Sequence, residues 1–176
     1  MDCEMVGVGP DGSESALGRI SLVNFFGHTI YDRYVRPIES VTDYRTEVSG
    51  ITPELLEDAP DFASVQREVA SLLKSRVVVG HDLDNDFKVL MFGHPQESRR
   101  DTSKYPPLVK LGEGKRPSLK QLAATLLNLK IQTKAHSSVQ DAQVAMLLYR
   151  KFKVKWDSVL LRKNKPGTEN KSQVKV

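Results

Sequence analysis

The opening stretch, Asp2-Cys3-Glu4-Met5-Val6, constrains this chain more than any other. It reads as a β-strand, with Cys3, Met5 and Val6 apolar and two acids at i and i+2. Side chains alternate faces along a strand, so Asp2 and Glu4 point the same way, roughly 6.6 Å apart along the chain. Neighbouring carboxylates repel each other, and a hard divalent cation between them removes that repulsion by binding their oxygens. The competing reading is a solvated edge strand whose two acids have no special role. Two further acids downstream, Asp86 and Asp141, tip the choice towards the cation. Cys3 faces the other way, into the core, where a free thiol behaves as a small hydrophobe. As the single cysteine it excludes an internal disulfide, which suits a reducing, intracellular compartment.

The surrounding pattern is that of an α/β domain. Val8 to Ser15 is a turn region, and Ile20–Phe26 and Thr29–Val35 read as strands of a hairpin broken at Gly27-His28. Pro37 to Ser49 reads as irregular. Thr52-Pro53 opens a helix with a capping residue followed by Pro at the first helical position. From Phe62 to Leu73 the apolar residues fall on one helical face. Val77-Val78-Val79 is a short strand covered on both sides, ending at Gly80-His81, with His81 closing the turn into the next helix. In that helix Leu83, Phe87, Leu90 and Met91 form the buried stripe, and Asp86 borders it, a costly place for a bare carboxylate. Arg100-Asp101-Thr102 reads as a short strand within a loop-rich segment that carries Arg99, Lys104, Lys110, Lys115 and Arg116. Ser118 and Gln121 form a capping box for the following helix, and Ser137 with Gln140 repeats it for the last one, expected to run to about Phe152. Asp141 sits just past the first turn of that helix, with Val144, Ala145 and Leu148 at i+3, i+4 and i+7. His136 stands on the loop that feeds it.

At 176 residues the chain suits one domain with a proper core. No run approaches the length needed to cross a membrane and none reads as a signal peptide. From Arg150 onward nine Lys or Arg stand against two acids, a net +7, which leaves −3 on residues 1–149 out of the total of +4. A slightly acidic body with a basic tail suits a polyanion partner, and it also suits a solvated chain end. The domain is expected to span residues 1–162, followed by a basic, disordered tail over residues 163–176.

Taken together, Asp2-x-Glu4 on a strand, Asp86 after Gly80-His81, and His136 five residues before Asp141 resemble the DEDDh group of 3′→5′ exonucleases. The stretches Asp2–Gly7, Thr42–Thr46, Val48–Pro53, Val79–His81 with Asn85–Phe87, and His136–Ala142 are similar to the RNA exonuclease 4 branch. The interferon-stimulated exonuclease is a related pattern. The resemblance implies a ribonuclease H-like fold, a central mixed five-stranded sheet flanked by helices. Family members usually carry several apolar residues ahead of the first Asp, and here Met1 is the only one, so the first strand is expected to be short at its start.

The resemblance also implies roles. Asp2, Glu4, Asp86 and Asp141 would hold two divalent ions, Mg²⁺ or Mn²⁺, whose +4 balances the four carboxylates. His136 would be the general base, a task that suits an imidazole, which titrates near 6.5 in model peptides. Met5 would wedge against the terminal base and Arg45 would grip the terminal sugar-phosphate, unless Arg45 is a surface cation paired with Asp43 or Glu47. Arg99, Arg100 and the run Lys151-x-Lys153-x-Lys155 would follow the phosphates of a single strand. The expected activity is release of nucleoside 5′-monophosphates from single-stranded nucleic acid, RNA favoured over DNA. The expected setting is a monomer in the nucleus or nucleolus, working on precursor ribosomal RNA away from membranes. The rival readings are a DNA exonuclease or repair trimming factor, and a non-catalytic assembly factor that only binds nucleic acid. The five filled catalytic positions argue against the second.

Overall fold

The structure, a computed structural model, describes residues 1–112 and 116–163. Lys115 and the expected tail beyond Lys163 lie outside the described residues. The strand that opens the chain, β1 (Asp2–Val8), lies inside a four-stranded antiparallel sheet completed by β2 (Glu14–Val23), β3 (Thr29–Tyr34) and β4 (Val41–Asp43), in the order β3-β2-β1-β4. β1 pairs with β2 from Asp2↔Ser21 to Val8↔Glu14, with a bulge between Glu4 and Met5. A second, parallel pair is formed by β5 (Val78–Gly80) and β6 (Arg99–Asp101). The Met1 nitrogen donates to the Val79 carbonyl at 2.7 Å and ties β5 to the start of β1. Among the described residues the expected mixed sheet is therefore present with six strands in two pieces, since a single hydrogen bond at Met1 is too little to pair β1 and β5 as strands.

Among the described residues, seven α-helices pack on the sheets: α1 (Thr46–Ser49), α2 (Pro53–Glu57), α3 (Phe62–Leu73), α4 (Leu83–Leu90), α5 (Pro106–Val109), α6 (Leu119–Leu122) and α7 (Ser138–Lys163). The alternation along β5 shows how they are layered. Val78 is buried among Phe62, Val65 and Val69 of α3 and Leu83 and Leu90 of α4. Val79, its neighbour, is buried in a cluster with Leu122 of α6 and Ala142, Ala145 and Leu148 of α7. Successive strand residues point to opposite faces, so β5 is a fully covered strand between two helical layers. Cys3 lies in the α3–α4 layer, which turns Asp2 and Glu4 towards α7. Each fully buried Leu in these layers contributes roughly 1.5–3 kcal/mol through the apolar surface it removes from water.

Several local expectations shift. Val77 and Met91, expected to be covered, are exposed. The irregular stretch over Pro37–Ser49 contains β4 and α1, both too short to leave a periodic signal. The turn after β1 is tighter than read, because β2 already begins at Glu14. The last helix does not end near Phe152 but runs eleven residues further, to Lys163. Lysine is a good helix former, so the Lys-rich change is a change of surface and not a stop. Trp156 holds that extension down by stacking on Tyr105 with ring centroids 4.0 Å apart.

Candidate active site

The site forms where the first strand meets the start of the last helix. Ser21, opposite Asp2 in the sheet, shares a 2.7 Å hydrogen bond between its Oγ and that of fully buried Ser138. This pins the first residue of α7 to β2 and sets Asp141, one turn on, beside β1. Oxygens of Asp2, Glu4 and Asp141 can all lie within 4.8 Å of one another. Asp86 comes from the other layer, on the buried face of α4 beside Cys3, and its charge acts on Asp2 more than that of any other side chain.

Electrostatics mark the cluster as unusual. Burial, followed by the charges of Asp86, Asp141 and Glu4, holds the Asp2 carboxyl well above the usual carboxylate range. Burial and the charge of Asp141 push Glu4 up to about 8, against the pull of Arg19. Burial also raises Asp86 to about 7 and lifts Asp141 above its ordinary value. Glu4 Oε1, Asp86 Oδ2 and Asp141 Oδ1 are buried without a hydrogen-bond partner among the described residues. A buried oxygen left bare costs free energy unless something binds it. Clustered carboxylate oxygens with open lone pairs are the donor set that hard divalent cations take, so the residues present fit such ions.

The flanking residues explain why the cluster holds its shape. Gln132 donates from Nε2 to Asp141 Oδ2 at 2.7 Å, and His136 Nδ1 stands 3.7 Å from that same oxygen. His136 is held by its backbone, which donates to the Val48 carbonyl of α1, while its ring stays 37% exposed. Beneath α4, buried Asp101 accepts from the backbone N–H of Asp82 at 2.9 Å and of Leu83 at 3.1 Å, capping the helix that carries Asp86. His81 has the structural place expected of it, with Nδ1 2.9 Å from Thr102 Oγ1. Gln132 and Asp101 escaped the sequence reading. Gln132 sits at positive φ in a loop with no repeat, and Asp101 reaches α4 across the parallel sheet. A buried acid within a strand is the one signal that could have drawn attention to Asp101.

Of the expected substrate residues, Met5 is the strand neighbour of Glu4, whereas Arg45, Arg99 and Arg100 are bonded to other parts of the fold. Met5 follows the bulge, half-buried against the core. Arg45 adopts a left-handed conformation and donates from Nη1 to Ser15 Oγ and from Nη2 to the Gly12 carbonyl, each at 2.8 Å, which staples α1 to the β1–β2 connection. Its guanidinium also reaches the Glu14 carbonyl at 3.4 Å, and among the described residues it forms no ion pair with Asp43 or Glu47. Arg99 lies over the Phe87 ring at 4.5 Å and pairs with Asp84. Arg100 is buried and donates to Asp157 of α7 at 2.8 Å and to the Glu97 carbonyl, joining β6 to the extension of α7. Lys153 also pairs with Asp157.

Comparison with known proteins gives the chain a family. The exonuclease family profile matches residues 1–149. RNA exonuclease 4 of Mycosarcoma maydis is 53% identical over 169 residues, 95% of this chain and 45% of that protein. The Homo sapiens protein of the same name is 52% identical over 159 residues, 90% of this chain and 38% of that one. The chain thus spans less than half the length of these two relatives. Among solved structures, the Pan2 catalytic unit of Neurospora crassa, with its protease and nuclease domain, superposes with a TM-score of 0.77 at 30% identity, over 94% of this chain and 29% of that one. The Saccharomyces cerevisiae Pan2 pseudoubiquitin hydrolase–RNA exonuclease module in complex with AAGGAA RNA gives 0.76 at 30% identity, over 92% and 29%. With a family match across most of its length and structural neighbours of the same architecture, this chain belongs to the exonuclease family and has its ribonuclease H-like fold.

Proposed function

We propose that this chain is a divalent-metal-dependent 3′→5′ exoribonuclease that releases nucleoside 5′-monophosphates from single-stranded RNA. The observation that carries the reading is the close group of Asp2, Glu4 and Asp141, with bare buried oxygens on Glu4 and Asp141, joined by the bare buried oxygen of Asp86, whose charge acts on Asp2. Hydrolysis of a phosphodiester needs an activated water, neutralised charge at phosphorus and a stabilised leaving oxygen. Two Mg²⁺ or Mn²⁺ ions would supply Lewis acidity and positive charge for this reaction when bound. Asp2, Glu4, Asp86 and Asp141 would hold them. His136 turns Nδ1 towards Asp141, leaving Nε2 to take the proton from the attacking water. The water oxygen forms the new bond to phosphorus as the bond to the 3′ oxygen breaks, and solvent returns a proton to that oxygen. Gln132 keeps Asp141 from turning away.

RNA is favoured over DNA because the relatives carry the name RNA exonuclease 4 and a structural neighbour was solved with RNA. By the same resemblance the protein acts as a monomer in the nucleus or nucleolus on precursor ribosomal RNA. The test uses 5′-labelled single-stranded RNA and DNA of one sequence, with Mn²⁺ or with EDTA. A ladder shortening from the 3′ end of RNA, lost in EDTA, is expected. Asp86→Asn is expected to lower the rate at least ~100-fold, since a lost ligand removes several kcal/mol of transition-state stabilisation. Near wild-type rates in that variant at saturating metal refute the assignment.

A further inference from the structure

The tip of the β2–β3 hairpin holds two aromatic rings in water for which the chemistry above has no use. Phe26 is 70% exposed and Phe25 41% exposed, in a T-shaped pair with centroids 5.6 Å apart. The tip is built to be rigid. Asn24 Oδ1 accepts from the backbone N–H of Phe26 at 2.9 Å and of His28 at 3.0 Å. Gln143 of α7 donates to the Gly27 carbonyl at 2.9 Å and fastens the tip to the helix two residues after Asp141. A turn bonded this closely presents its rings in one orientation, at little entropic cost to anything that binds them.

The surroundings are cationic. The Arg150 guanidinium lies over the Phe25 ring at 5.2 Å. A cleft of about 180 Å³ beside Phe26 is lined by Met146, Leu147 and Arg150. A larger apolar cleft that Phe25 also lines is bordered by Arg76 and by Lys153, the latter paired with Asp157. Exposed flat rings among cations match the two chemical parts of a single-stranded nucleic acid, whose bases stack on aromatic faces while its phosphates pair with Lys and Arg. An acidic peptide would satisfy the cations but has no general need of two bare rings.

We propose that Phe25, Phe26 and Arg150 form a stacking platform for single-stranded RNA several nucleotides upstream of the scissile bond. The proposal rests on the exoribonuclease reading and extends it. Arg150 lies nine residues beyond Asp141 on one helix, about 13.5 Å along its axis. That is about four nucleotides of strand at about 3.4 Å each. A dinucleotide in the active site therefore falls short of the platform, whereas a 12-mer reaches it.

Binding of a labelled 12-mer RNA is measured by fluorescence anisotropy in the cleavage-impaired Asp86→Asn background, and dinucleotide turnover is measured with Asp86 intact. Phe26→Ala is expected to weaken 12-mer binding about 5- to 20-fold, towards the low end of what a base stacked on an aromatic ring contributes. Phe26→Leu should weaken it as much, Phe26→Trp should preserve it, and Arg150→Gln should weaken it with a shallower salt dependence. Dinucleotide turnover should be unchanged in all four. Unaltered 12-mer affinity in Phe26→Ala overturns the platform and leaves the tip as a protein-docking surface. Full affinity in Phe26→Leu overturns stacking as its basis, and a parallel loss of dinucleotide turnover overturns it in favour of a role in shaping the active site. If the protein cleaves nothing yet binds the 12-mer in a Phe26-dependent way, the platform stands and the exonuclease reading falls.

Discussion

At the scale of single residues, the acids of the site are held against their ordinary chemistry. A carboxyl whose pKa is raised by folding keeps its proton longer in the folded than in the unfolded chain. Its favourable contribution is therefore complete below the unfolded value, near 4, and is lost as pH rises through the folded value. With Glu4 at about 8 and Asp86 at about 7, the metal-free protein should lose stability steadily between pH 5 and pH 9. Each kcal/mol lost lowers Tm by about 2–4 °C in a domain of this size. Thermal melts in EDTA across that range check this, and Mn²⁺ should restore Tm most at the alkaline end. Glu4→Gln should flatten the slope, and a metal-free Tm that climbs from pH 5 to pH 9 contradicts the arrangement. His136 provides the second expectation. An imidazolium cannot accept a proton, so the rate should fall on the acid side, and His136→Ala should abolish that limb while RNA binding stays near wild type. A variant with an unchanged pH–rate profile assigns the base to another group.

At the scale of elements, the positions of Asp86 and Asp141 depend on how α4 and α7 are moored. Asp101 ends β6 and caps α4, so the helix bearing Asp86 starts where the parallel pair β5–β6 places it. Asp101→Ala leaves two backbone N–H groups of α4 and that of Ser103 without their acceptor. A loss of about 2–4 kcal/mol is expected from several unpaired buried donors, together with weaker metal binding, because Asp86 loses its anchored start. Urea unfolding and calorimetric titration with Mn²⁺ separate the two effects. Wild-type metal affinity in a destabilised variant reduces Asp101 to a cap. The extension of α7 is moored in the same manner, through Arg100 to Asp157 and Trp156 to Tyr105. Arg100, placed from its sequence among phosphate-binding residues, is thus a tie between β6 and α7. A basic residue in a loop-rich segment gives no sign of which acid 57 positions away will meet it.

At the scale of the whole molecule, the proposed chemistry and the proposed holding of substrate fall on segments of opposite charge. The four acids lie in the first 149 residues, and residues 150–176 carry the excess of positive charge. Deleting residues 163–176 removes four Lys and one Glu while leaving the five proposed catalytic positions in place. Binding of long RNA should weaken, and the slope of log affinity against log salt should become shallower by roughly 0.7 for each phosphate that the shortened chain no longer neutralises. Dinucleotide turnover should stay the same. Unaltered affinity and slope make the tail a solvated chain end and leave the phosphates to the folded surface.

The acids proposed as the catalytic set could be singled out in the sequence because their placement depends on local period. Alternation placed Asp2 and Glu4 on one strand face, and helical spacing placed Asp86 and Asp141 against apolar stripes, where a free carboxylate is costly. The same periods located β5 as a doubly covered strand and the buried faces of α3, α4 and α7, except that Val77 and Met91, expected within them, lie just outside β5 and α4 and are exposed. What only the tertiary structure decided was partnership. Arg45 turns to Ser15 and Gly12, Arg100 to Asp157, Gln132 to Asp141, and Ser21 to Ser138. Period states which face a side chain occupies, whereas a hydrogen-bond partner depends on which distant segment the packing of two layers brings within about 3 Å. The end of α7 belongs to the same class, since Lys continues a helix wherever a buried face, here that of Trp156, finds something to pack against.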